Sequence, residues 1–401
     1  MTLRFASALS RAADPAEAAN ELTLNLNRQF NGERPHLALA FIAGHQAHAS
    51  QMAEALCASL NADLILGCTA ESVIGQTEEI ENQDAVSVVA ASLPGALVTG
   101  FAISADDWPE ALSDPETFRA RLNLDTDPKL FILLADPFTS PMDDVLAMFN
   151  AAYPNVPIVG GMASAANAMR QTDSTFSDVL FLSRGAFQSN QGGAVGIALA
   201  GDIEIDVVVS QGCRPIGRSF TVTQAQRNIL ITLEDQPAMS RLQEIFEELP
   251  ESDQDLLRNG VYVGRAIDST QEELGRGDFL IRGVMGADPQ RGLIAVGDFV
   301  AEGERVQFHL HDAATATEDL ELLLLPQTLQ DPPAGAFLFS CNGRGTRLYD
   351  HPDGDIRTVQ QFLGGAPIAG FFCAGEIGPV GGRNFLHGHT ASMVIFRESP
   401  G

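Results

Sequence analysis

Two short stretches place a glutamate three residues after a cysteine at the end of an apolar run: Cys68-Thr-Ala-Glu71 and Cys373-Ala-Gly-Glu376. Their neighbours are glycine, alanine and threonine, whose short side chains leave main-chain N–H groups accessible. A carboxylate there can take an ammonium group of a ligand, or close a loop by accepting backbone hydrogen bonds. A third stretch, Cys341-Asn-Gly-Arg-Gly345, sets Arg344 between glycines, and a guanidinium fork so placed suits a carboxylate. Asn342 and the adjacent N–H groups add polar contacts, and Gly375 opens the backbone beside Glu376. Arg214, ahead of Pro215, offers the same fork or a salt bridge across a domain seam. The ligand-binding set is therefore Glu376, Arg344, Cys341, Asn342, Gly375, Glu71 and Arg214, with no catalytic and no metal residue assigned.

Cys341 has a second reading. Beside Arg344 its thiol pKa would be lowered, and His387 or His389 could complete a Cys–His pair acting on an amide, ester or electrophile. No acid or oxyanion motif accompanies it, and a buried cysteine is more often a small hydrophobe. On the reactive reading a mild alkylating reagent modifies Cys341 before Cys57, which lies in a helical pattern. The pairs His309-x-His311 and His387-x-His389 could each face one side of a strand, but no third ligand stands at a recognisable spacing.

Composition narrows the classes. The chain has 401 residues, and 24 basic against 52 acidic residues give a net charge of −28. So acidic a chain is poorly suited to polyanions or anionic membranes, and fits a soluble globular protein. Five widely spaced cysteines without a Cys-x-x-Cys pair point to a reducing, cytoplasmic setting. No Gly-Lys-Ser/Thr and no dinucleotide fingerprint occurs, so no cofactor is assigned.

These residues are carried by a repeated layout of buried strand, helix, second strand and small-residue loop. From Leu37 to Gly67 and from Leu130 to Gly160 the spacing is 30; from Ala336 to Gly370 it is 34. Equal spacing implies duplication, with the segments at Leu37 and Leu130 superposing and that at Ala336 a looser copy. Residues 15–29 read as a helix with Asp14 as N-cap and Pro15 at its first position. Further strands are expected at 85–91, 179–183, 194–199, 203–210, 292–300 and 391–396, with Gln211–Gly217 a short strand broken by Gly and Pro. An amphipathic helix from Pro237 leads into a polar Glu-Leu-Pro-Glu-Ser-Asp stretch, which places the seam near residues 233–252. The fold class is α/β with α+β character: two domains, 1–232 and 233–401, of mixed, hairpin-rich sheets flanked by helices.

The ordered set Gly67-Cys-Thr-Ala-Glu71, Pro157-Ile-Val-Gly-Gly161, Ser210-Gln-Gly-Cys-Arg-Pro-Ile-Gly217, Phe279-Leu-Ile-Arg-Gly283, Cys341-Asn-Gly-Arg-Gly345 and Gly370-Phe-Phe-Cys-Ala-Gly-Glu-Ile-Gly378 resembles the FIST proteins (F-box and intracellular signal transduction) over residues 30 to 396. The resemblance implies tandem N- and C-terminal FIST domains and a sensory module binding small ligands, amino acids among them. About 35 residues precede the Leu37 strand, too few for an F-box, so the signalling output is expected in a separate protein. The function expected is a small-molecule sensor for an amino acid or related carboxylate metabolite. The alternatives are an enzyme with a pocket cysteine and an acidic protein-interaction scaffold. No nucleic-acid or membrane partner is expected.

Overall fold

In a computed structural model, residues 2–45, 48–166, 177–190 and 192–399 are described. Compactness divides the chain into one unit of Met1–Ser210 with Leu320–Gly401 and a second of Gln211–Asp319. The seam read near residues 233–252 thus falls inside the second unit.

The repeat is real. In each copy the two strands pair in parallel around a helix: Leu37–Ala43 with Leu64–Ala70, Leu130–Ala135 with Ile158–Met162, and Gly335–Cys341 with Ile368–Cys373. Leu37 aligns with Leu64 and Phe131 with Ile158, an offset of 27 residues in both. Ala336 aligns with Ile368, an offset of 32, so the third copy is the looser one.

Each parallel pair nucleates a six-stranded sheet of the same order. On one side the first strand pairs antiparallel with the last strand of its own copy: Ala85–Ser92, Ala194–Gly201 or Ala391–Arg397. An edge strand follows: Arg4–Ser10, Ala96–Ile103 or Glu204–Ser210. Arg4–Ser10 is a strand ahead of the first one expected from sequence. On the other side sits a hairpin that belongs to a different copy. Hairpin 73–80, which follows the first copy's second strand, pairs in the third copy's sheet. Hairpin 376–387 of the third copy pairs in the second copy's sheet, and hairpin 180–190 of the second pairs in the first copy's. The exchange is cyclic.

Sequence explains why the sheets pack as they do. The paired strands are apolar on both faces, as strands buried on both sides must be. Their inner faces share one core, where Phe41 stacks on Phe371 and meets Phe339 edge-on. Their outer faces are covered by helices: 15–30 and 49–59 on the first sheet, 115–122 and 142–152 on the second, 354–363 on the third. Helix Pro15–Phe30 begins as expected, with Asp14 accepting the N–H groups of Ala16 and Glu17.

The second unit is a seven-stranded sheet whose pairings are all antiparallel, with helices Ala238–Glu248 and Glu251–Asn259. The polar stretch after Leu249 enters the helix Glu251–Asn259. One sequence expectation fails here. Gln211–Gly217 does not break: the strand runs Cys213–Gln226 and absorbs its irregularity as a register shift between Ile216 and Phe220.

Candidate functional site

The hairpin exchange brings the three small-residue loops together, because each chain must cross from one sheet to another at the carboxyl ends of the parallel strands. Ser164 of the second copy donates its Oγ to the Phe372 carbonyl (2.5 Å) and accepts the Glu71 N–H (2.8 Å). Phe372 N–H reaches the Ser72 carbonyl, and Met162 N–H the Gly375 carbonyl. Approach is close enough that a Cβ on Gly161 would lie 2.4 Å from Cys373 Sγ, so only glycine fits there.

Glu376 starts the third copy's hairpin and pairs with Gly161. The corresponding rungs elsewhere are Val73 with Phe371 and Leu180 with Cys68. The shared Cys-x-x-Glu spacing is therefore not structural equivalence: Glu71 lies two residues ahead of Val73. Where the repeat takes an apolar residue in two copies, the third has a glutamate with no exposed surface. Its Oε2 accepts the Thr390 N–H at 3.2 Å, and its Oε1 is buried without a hydrogen-bond partner. Burial pushes this carboxyl well above the usual range, while the Thr390 N–H and the weak Cys341 S–H donor pull it back. Asn342, next to Cys341, also carries a buried Oδ1 without a partner.

The thiols beside it are not activated. Cys341 and Cys373 are register partners on neighbouring strands. The lowered pKa expected for Cys341 is overturned: burial first, then the adjacent Glu376, push the thiol up. Cys373 is raised in the same way.

Arg344 is not an open fork either. It has no exposed surface, and its Nε and Nη2 bind the two oxygens of Asp355 at 2.8 and 2.6 Å. Nη2 also donates to Tyr349 Oη and Nη1 to the His389 carbonyl. Asp355 further accepts from Ser340 Oγ and Tyr349 Oη, and Arg344 holds its carboxyl below the usual range against the effect of burial. The helix that carries Asp355, Gly354–Leu363, has no cap from its own Asp353, whose φ is 63°. Its cap is Glu79 from the first copy's hairpin, which accepts the N–H groups of Gly354, Asp355 and Ile356. Sequence reading missed Glu79, Ser340, Tyr349 and Asp355. Asp355, in the first turn after an Asp-Gly pair, was the one with a local signal.

The remaining residues separate. Glu71 pairs with Arg347, and Arg347 Nη1 donates to the Asn342 carbonyl at 2.7 Å. Glu71 also lines an open depression of ≈ 250 Å³ with Asn82, Gln83 and Asp84. Gly375 serves through its carbonyl, as the Met162 acceptor. Arg214 belongs to the second unit and pairs with Asp253 and Asp312. Among the described residues, no group of three His, Cys, Asp or Glu side chains is placed to hold a metal ion. No helix there is long and apolar enough to cross a membrane.

A model of the FIST N domain matches residues 36–236, and one of the FIST C domain matches residues 238–379. The chain belongs to the FIST family. FIST domains are associated with signal transduction and small-ligand sensing. The uncharacterized protein Rv0628c of Mycobacterium tuberculosis is 36% identical, over 98% of this chain and 100% of its own. The uncharacterized protein Mb0898c of Mycobacterium bovis is 35% identical, over 98% and 99% respectively. The FIST N and C matches divide at residue 237, inside the second compact unit, so the family's division follows the chain and not its compact bodies.

Proposed function

We propose that this FIST protein is a sensor for a small polar metabolite, an amino acid or close relative, bound at the carboxyl ends of the third copy's strands. The observation that carries this is Glu376: a buried carboxyl with an unpartnered oxygen, at a position the repeat fills with Val73 and Leu180. Leaving a buried polar group unsatisfied costs about 1–3 kcal/mol, so packing alone does not account for it. Ligand N–H groups would satisfy Glu376 Oε1 and Asn342 Oδ1. A ligand carboxylate would be met by Arg347, which is half exposed, rather than by Arg344, whose fork Asp355 fills. Because Glu376 opens the exchanged hairpin, occupancy would bear on the crossing between two sheets, a surface for a separate signalling protein to read. Five thiols free of disulfides suit a cytoplasmic, reducing setting. The enzyme alternative needs a thiolate, which the environment of Cys341 opposes.

A thermal-shift screen of amino acids and organic acids tests the reading. A ligand at 100 times its Kd adds about 2.7 kcal/mol to stability. Glu376→Gln and Asn342→Ala should each remove the shift. Silence of every compound would defeat the reading.

A further inference from the structure

The buried carboxylates of the first unit are not alike. Asp355 receives a guanidinium, a serine and a tyrosine hydroxyl; Glu79 receives three N–H groups; Asp178 receives Thr69 Oγ1 and the Ala166 N–H. Among the described residues, Glu376 is the one buried carboxyl that keeps an oxygen without a partner. Arg344 is the cation whose charge reaches it, and Asp355 already pairs that guanidinium. From the neighbouring strands come the Cys341 and Cys373 thiols, with Cys68 behind Cys373. His387 is the hairpin partner of Glu376, and its Nε2 contacts the Gly378 carbonyl; His389 has its pKa lowered by burial first and then by Arg344. An ionised carboxyl in this setting would be a buried charge with few N–H donors and one unpartnered oxygen, a state that proteins avoid by protonation.

We infer that Glu376 holds a proton while the site is empty and gives it up when an ammonium or guanidinium group of the ligand enters, so that uptake of a cationic N–H group releases one proton. This rests on the ligand reading above. The O–H bond of the acid breaks, the proton leaves to solvent, and the carboxylate left behind is paired by the incoming cation, so charge within the site is unchanged. Affinity must then depend on pH. Below the pKa of Glu376 the empty site stays protonated, so each unit rise in pH lowers the proton activity against which binding expels that proton, and Kd tightens about tenfold. Burial raises the Glu376 pKa, so this dependence reaches to higher pH than an ordinary carboxyl would give.

Difference infrared spectroscopy of the whole protein at neutral pH tests the empty state. The carbonyl band of a protonated carboxylic acid should be present in the native protein and lost in Glu376→Gln; Cys341→Ala, which removes the neighbouring thiol, should move the band without abolishing it. Absence of any band assignable to Glu376 overturns the inference. The probes are then the amino acid with the largest thermal shift and ethylammonium chloride. On saturation the band should vanish. Calorimetry in two buffers of different ionisation enthalpy should count one proton released, and Kd should fall about tenfold per pH unit. A band that persists with probe bound, or a pH-independent Kd, overturns the coupling. If neither probe binds, the ligand reading falls and the coupling with it, while the infrared band still decides whether Glu376 is protonated.

Discussion

Glu376 stands across an antiparallel rung from Gly161, in the place where Val73 faces Phe371 and Leu180 faces Cys68. The third copy thus holds a buried acid where its siblings hold hydrocarbon. Replacing the acid with the sibling residue type separates packing from function. Glu376→Leu should unfold at a higher temperature than the native protein, with a gain of about 1–3 kcal/mol from removing an unsatisfied buried group, and should lose ligand response. Thermal denaturation checks this. A loss of stability beyond about 2 kcal/mol would make Glu376 structural.

Arg344 and Asp355 predict the opposite behaviour. Both side chains have no exposed surface, so removing one leaves the other as an uncompensated buried charge. Arg344→Ala and Asp355→Ala should each cost about 3–5 kcal/mol in denaturant unfolding. Tyr349→Phe, which removes one donor and one acceptor from the same network, should cost about 1–2 kcal/mol. Native-like stability of Arg344→Ala would return its guanidinium to the ligand.

Cysteine labelling should run in the reverse of the order read from sequence. Cys57, at the end of helix Ala49–Ser59, lines an open depression with Arg34 and Ser183, although burial raises its thiol to about 12. Cys341 is partly exposed like Cys57, but burial of its thiol and then Glu376 raise it further. Brief alkylation of the native protein followed by mass spectrometry should find Cys57 modified first. Earlier modification of Cys341 would revive the nucleophile reading.

Asp178 gives stability a pH dependence of known sign. Burial raises its carboxyl from 3.8 to about 6, with Thr69 and Ala166 as its hydrogen-bond donors. Between those values the folded state binds the proton more tightly than the unfolded chain, so stability falls as pH rises through the interval. Asp178→Asn should flatten the melting temperature between about pH 4 and 6. An unchanged slope in that variant would place the dependence elsewhere.

Strand positions were legible because buried parallel strands read as short apolar runs: Leu37–Ala43 and Leu130–Ala135 begin and end where the pattern does. The repeat was legible from spacing alone. Pairing was not, because nothing local in Val73–Gly75 or Glu376–Val380 says which sheet a hairpin joins; that is decided by residues hundreds of positions away. The same limit explains Arg344. Glycines on either side made it look open, yet its partner sits eleven residues on, in a helix capped by Glu79 from the first copy. Glu376 stands out in sequence by its loop chemistry alone, whereas its isolation is a property of the rung it shares with Gly161, set against those of Val73 and Leu180. Gln211–Gly217 misled in the other direction, since Pro215 and Gly217 are accommodated within a long strand by one register shift.

The most direct measurement is a crystal structure of the protein with the amino acid that stabilises it most. Ligand density is expected at the carboxyl ends of strands Gly335–Cys341 and Ile368–Cys373, with a ligand nitrogen about 3 Å from Glu376 Oε1. Density confined to the depression beside Glu71 and Asp84, with Glu376 Oε1 still unpartnered, would contradict it.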